Sequence, residues 1–117
     1  MNIIKNIAPF IVSCDDTVGF ALKKINQNTK RLVFSVKENG VLEGLMTDGD
    51  FRRWVVRAEN VDLSIPVSQI SNKNIVTGLE NDNSQTLQSF FNSKVTAVPL
   101  LDHLNRITAI VRNEDLR

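Results

Sequence analysis

The second half of the chain repeats the first. Val98, Ala109 and Asp115 each stand 65 residues after Val33, Gly44 and Asp50, and "ITAIVRNEDLR" follows the pattern of "LEGLMTDGDFR". Likewise "AVPLL" (97–101) answers "LVFSV" (32–36). "NIVT" (74–77) answers "FIVS" (10–13) at a spacing of 64, which implies one residue inserted near the first helix. Self-similarity on this scale constrains the fold more than any single motif, because one repeat cannot bury its apolar face alone. A half of fewer than about 60 residues is marginal as an independent core. Two copies are therefore expected to pack about a pseudo-two-fold axis. Two related clefts would lie where they meet, and pockets favour such interfaces.

The first copy, placed at residues 1–60, reads strand, helix, strand, strand, helix. "FIVS" is a short apolar strand. Asp15, Asp16 and Thr17 then offer cap oxygens and negative charge to a helix start, with Val18, Ala21, Leu22 and Ile25 at helical spacing. "RLVFSV" (31–36) and "VLEGLMT" (41–47) read as strands joined by a turn with an Asn39-Gly40 hairpin signal. "DGDFRRWVVRA" reads as a helix with Asp48 as its cap and Phe51, Trp54, Val55 and Ala58 facing inward. Pro66 after Ser64 and Ile65 marks one helical turn in the linker. The second copy, placed at 61–117, has a strand at 74–77 and a helix capped by Asn83 or Ser84 with Leu87, Phe90 and Phe91 inward. Strands at 97–101 and 107–112 follow. The closing "RNEDLR" reads as the first turn of a helix, which suggests a piece of a longer protein.

Composition removes several classes of function. Fourteen Lys and Arg against thirteen Asp and Glu give a net charge of +1, so there is no basic field for nucleic acid. The single cysteine, Cys14, makes no internal disulfide and suits a reducing, cytoplasmic compartment. No apolar run reaches the roughly 18 residues of a membrane span. No pairing of nucleophile with base and no metal-ligand cluster is visible, so the chain carries no catalytic residue or metal ligand of its own.

The stretch "GLMTDGD" at the last strand-to-helix junction joins Gly44, Thr47 and Asp50 in the pattern G-apolar-apolar-T-x-x-D. Val98 to Asp102 forms apolar-Pro-apolar-apolar-Asp before the second turn. These motifs, in two repeats in register over residues 4–117, resemble a tandem pair of CBS domains, or Bateman module. The resemblance implies an α+β fold of two βαββα repeats with small mixed sheets flanked by helices. It also implies a regulatory module that binds a nucleotide in the cleft between repeats: AMP, ADP, ATP, an S-adenosyl compound or a cytidine nucleotide. In the family pattern Asp50 holds both ribose hydroxyls and Thr47 contacts phosphate or ribose. An ionised carboxylate suits this, being acceptor-only with two oxygens. Free N–H groups at the start of the Asp48 helix favour a phosphate, and Gly49 leaves room beside them. Asp48 and Arg52 flank that position. Ser13 and Thr77, paired by the repeat at the ends of the first strands, are further candidates. In the second copy Asp115 is kept, but Arg112 stands where Thr47 stands, Ala109 replaces Gly44 and Glu114 replaces Gly49. That cleft is the poorer candidate.

The wording "TDGDFRRW" resembles CBS pairs attached to arabinose 5-phosphate-type isomerases, sugar nucleotidyltransferases and sialic-acid-type synthases, with the last two the closer match. The implied partners are an attached catalytic domain, a nucleotide effector and a second copy of the module in a homodimer. Neither nucleic acid nor membrane is implied. The alternative is an oligomerisation module with vestigial, empty clefts.

Overall fold

The computed structural model describes residues 2–113. Its order is β1 (Asn2–Ile4), a 3-10 turn (Ala8–Phe10), β2 (Ile11–Ser13), α1 (Val18–Asn28), β3 (Leu32–Val36), β4 (Leu42–Thr47) and α2 (Asp48–Arg57). A 3-10 turn (Val67–Gln69), β5 (Gly78–Leu79), α3 (Ser84–Ser89), β6 (Ala97–Leu101) and β7 (Ile107–Arg112) follow. This is the expected α+β class with two small mixed sheets. No helix of the described residues is long and apolar enough to cross a membrane.

The chain forms two compact units. The first is Ala8–Ile75, built on the sheet β2-β3-β4, with β2 parallel and β4 antiparallel to β3. Val12, Val33 and Met46 project from this sheet into a core with Val18, Ala21 and Ile25 of α1 and with Val67. Thr17 caps α1 by accepting the Phe20 N–H at 3.0 Å, a contact worth about 1 kcal/mol. The face of α2 that bears Phe51 and Trp54 leans on the same core, yet none of its residues is fully buried. Apolar periodicity alone showed which face of α2 turns inward, not how deep it sits. In the β3–β4 turn only Gly40 is left-handed (φ 85°), so the Asn39-Gly40 pair does not form a two-residue primed turn. Instead Gly40 N–H and Val41 C=O close the loop on Lys37.

The second unit joins residues 2–7 to 76–113 and carries the sheet β1-β7-β6-β5. Leu87 of α3 packs on Val98, Leu100, Ala109 and Val111, with Phe90, Phe91 and Val95 around them. Asn83 caps α3 by accepting the Thr86 N–H at 2.8 Å. The pair 1–60 and 61–117 describes the sequence repeat, and the compact units are drawn differently for a definite reason. β1 pairs with β7, and Asn72, which precedes β5, exchanges two backbone hydrogen bonds with Leu45 of β4. Each sheet is therefore flanked by the segment that leads into the other repeat.

The strand expected at Asn74–Thr77 lies further on, at Gly78–Leu79. Sheet register settles the alignment. Val12 and Ser13 pair with Ser35 and Val36, while Gly78 and Leu79 pair with Leu100 and Leu101. Ser13 N–H donates to Asp16 Oδ2 and Leu79 N–H to Asp82 Oδ2, both at 2.8 Å. The spacing here is thus 66, not 64, and the second repeat is one residue shorter between its first two strands. Ser13 corresponds to Leu79, and Thr77 to Ile11. The sequence pairing of Ser13 with Thr77 is corrected accordingly.

Candidate functional site

The β4–α2 junction is built by its own side chains. Thr47, not Asp48, is the N-cap of α2. Its Oγ1 accepts the Asp50 N–H at 3.0 Å, and Asp50 Oδ2 accepts the Thr47 N–H at 3.0 Å. This reciprocal capping box explains the T-x-x-D spacing without any ligand. The second oxygen of Asp50, Oδ1, accepts from the Arg53 guanidinium at 2.6 Å. Asp48 occupies the first helical position instead. Its N–H donates to the Arg31 carbonyl at 3.1 Å, and its Oδ2 lies 3.9 Å from both Arg31 Nε and Arg52 Nη2. Two of the first-turn amides expected to await a phosphate, those of Asp48 and Asp50, are therefore engaged within the protein.

Two hollows flank this junction. One, of about 420 Å³, is lined by Leu22, Ile25, Asn26 and Thr29 of the α1 end together with Arg31 and Asp48. The other, of about 270 Å³, is lined by Asp50, Arg53, Trp54 and Arg57 along α2 with Gln69 and Ile70. Arg31 is a residue the sequence reading missed. The connection from α1 to β3 is so short that Thr29 and Arg31 are both left-handed (φ 60° and 65°). Asn28 holds it there, donating to the Pro9 and Leu32 carbonyls and accepting from Lys30 N–H. Non-glycine residues in this region store strain, which gathers at functional positions. Only the backbone reveals it.

Of the expected site residues, Thr47, Asp48, Asp50 and Arg52 are gathered at this turn. Ser13 is not with them. Leu32 pairs with Thr47 at one end of β3, whereas Val36 pairs with Ser13 at the other. Ser13 instead shapes the turn after β2, its Oγ accepting the Asp15 N–H at 3.2 Å. Thr77 precedes β5 and Arg112 ends β7 in the second unit, while Asp115 lies outside the described residues. There the Asn113 N–H donates to the Thr96 carbonyl at 3.3 Å, as Asp48 does to Arg31. The backbone bond is repeated, but Thr96, Arg112 and Asn113 replace Arg31, Thr47 and Asp48. Asp102, the acid of the second motif, is structural. Its Oδ1 accepts the N–H groups of Leu104 and Arg106, and its Oδ2 accepts Arg106 Nε at 2.8 Å. The Arg106 amide above all, against the opposing effect of desolvation, holds its carboxyl below the usual aspartate range.

Gly44 also has a packing role. A Cβ there would lie 2.4 Å from Ser71 Oγ and 3.1 Å from Ser35 Oγ. Both serines belong to a polar cluster centred on Glu43. Ser35 Oγ donates to Glu43 Oε1 at 2.7 Å and Ser71 Oγ at 3.2 Å, and Lys73 Nζ reaches Glu43 Oε2, Ser71 Oγ and the Ser68 carbonyl. Desolvation pushes the Glu43 carboxyl up, but the hydrogen bonds from Lys73 and Ser35, the Lys73 charge and the Ser71 hydroxyl together leave it below the ordinary glutamate value. A folded carboxyl that titrates below its unfolded value stabilises the protein fully above the unfolded pKa. That contribution is lost as pH falls through the folded one. Urea unfolding from about pH 6 down to about pH 3 should therefore show a loss of stability below the usual glutamate range. The loss should be smaller in Glu43→Gln.

Residues 4–57 match the family model described as CBS domain. The arabinose 5-phosphate isomerases GutQ of Salmonella typhi and Salmonella typhimurium are 28% identical over 96 residues, 81% of this chain. The chain spans 29% of the length of these relatives. The CBS domain pair of protein MJ0100, solved with methylthioadenosine and S-adenosyl-L-methionine, superimposes with a TM-score of 0.74 at 22% identity, over 97% of this chain and 95% of that one. OpuCA of Staphylococcus aureus matches with a TM-score of 0.75 at 17% identity, over 94% and 90%. The fold is thus that of CBS domain pairs, and its first repeat carries the family's sequence pattern.

Proposed function

We propose that the chain is a regulatory tandem CBS pair that holds a nucleotide, of adenine or cytosine type, at the β4–α2 junction, with Asp50 on the ribose diol. The observation that carries this reading is the Asp50 carboxylate, fixed by the Thr47 capping box at the rim of a hollow lined by Arg53, Trp54 and Arg57. An acceptor-only group held rigidly beside cations and an aromatic ring fits a ribose phosphate. The adenosine-type ligands of the MJ0100 pair favour an adenine compound. The parent protein is an enzyme of sugar metabolism. Among the parent classes read from the sequence, the GutQ relatives support a sugar-phosphate isomerase rather than a synthase or nucleotidyltransferase. Regulation then requires that the ligand bind two states of the parent with different affinity.

Thermal unfolding with AMP, ADP, ATP, CMP, CTP and S-adenosylmethionine tests the reading. A ligand at about 100 times its Kd should add about 2.7 kcal/mol, a rise on the order of ten degrees for a domain of this size. A flat panel would leave the second reading, an assembly module. Phe20 of α1 and Val56 of α2, 47% and 84% exposed, favour that reading as apolar contacts for another copy.

A further inference from the structure

Arg53 stands on the acceptor that the proposed ligand must use. Asp50 has two oxygens with about four acceptor positions. One on Oδ2 is held by the Thr47 N–H, and one on Oδ1 by the Arg53 guanidinium at 2.6 Å. The carboxylate is well enclosed, with 16% of its side chain exposed, whereas Arg53, reaching it on a long stem, is 61% exposed. Arg53 and Arg57 line the same hollow as Asp50.

We infer that Arg53 is a specificity-determining gate: on a carboxylate only 16% exposed it competes for Asp50 Oδ1 with a ribose diol that would bridge the two oxygens, and it yields readily only to a ligand that brings its own phosphate. The inference rests on the nucleotide reading above and deepens it. A neutral nucleoside exchanges a charge-assisted hydrogen bond, among the stronger kinds, for two hydroxyl contacts and strands the guanidinium in water. A nucleoside phosphate gives the displaced guanidinium a new anionic partner beside Arg57, so the exchange is nearly balanced. The site therefore selects ribose phosphates over nucleosides, although its central acceptor recognises the ribose of both.

Calorimetric titration of adenosine, AMP, cytidine and CMP into wild type, Arg53→Ala and Arg53→Gln tests this. Because the Arg53 side chain is largely exposed, both variants are expected to fold, which their melting curves verify. The expected result is nucleoside affinity raised several-fold in both variants with monophosphate affinity lowered. The phosphate preference then falls about ten-fold or more. Nucleoside binding that appears only in the variants would equally support the gate. If wild type binds a monophosphate and the variants show the same preference, the gate is wrong and the nucleotide site stands. If no protein binds any of the four compounds, the gate fails, and the nucleotide reading fails with it when the thermal panel is flat as well.

Discussion

Gly44→Val should lower the melting temperature on the order of ten degrees, corresponding to about 3 kcal/mol of overpacking. The first atom added at residue 44 would sit 2.4 Å from Ser71 Oγ and 2.8 Å from Ser71 Cβ. Ser71 is buried and tied into the Glu43 and Lys73 cluster, so it cannot move aside without breaking those bonds. Its backbone is held as well, with Ser71 N–H donating to the Val67 carbonyl and its neighbour Asn72 exchanging hydrogen bonds with Leu45. Ser71→Gly removes the obstructing side chain, so the double variant should recover much of the loss. Neighbours that share one clash are expected to couple in this way. A loss in Gly44→Val that Ser71→Gly leaves untouched, read by denaturant unfolding of all four proteins, would show that the contact is not what requires the glycine. In the second repeat the equivalent Ala109 packs in the core with its Cβ in place.

Much of this architecture was legible because local chemistry and packing agree. Leu32 to Ser35 of β3 are all buried, and such a strand, covered on both faces, reads as a nearly unbroken apolar run. Thr17 and Asn83 announce their helices as caps. β1 was not legible. Three residues carry no periodicity, and their strand character comes from partners about a hundred positions away, Ile110 to Arg112. The misplaced strand at 74–77 shows the opposite failure. "NIVT" is a better local match to "FIVS" than "TGLE" is, but pairing with β6 decides where β5 lies. The signal that could have corrected it was present, since Asp16-Thr17 and Asp82-Asn83 both end their strands with the same Asp-plus-cap turn, 66 residues apart.

The candidate site was legible in its residues and less so in their roles. Thr47 and Asp50 were singled out for a ligand, and the structure gives them an earlier duty as each other's caps. The T-x-x-D spacing of a capping box favours Thr47 over Asp48 as the cap. Arg31 could not have been found, because its significance lies in a backbone dihedral. In the sequence Arg53 is the second of two adjacent arginines in "DFRRW". A helical spacing of three, from Asp50 to Arg53, is what brings it onto the carboxylate.

The claim that Asp50 receives a ribose diol is tested most directly by calorimetry with whichever nucleotide stabilises the protein and with its 2′,3′-dideoxy analogue. Wild type and Asp50→Asn would be compared, the latter chosen because its side-chain oxygen can still accept the Thr47 N–H and keep the helix capped. Hydrogen bonds to a charged group are worth about 1.5–3 kcal/mol each, so two of them, set against the Arg53 bond that the diol displaces, should make the ribonucleotide bind at least about 10-fold more tightly than the dideoxy form to wild type. In Asp50→Asn that gap should collapse to a few-fold. Equal affinity of wild type for the two forms would contradict the assignment and leave Asp50 as a helix cap alone.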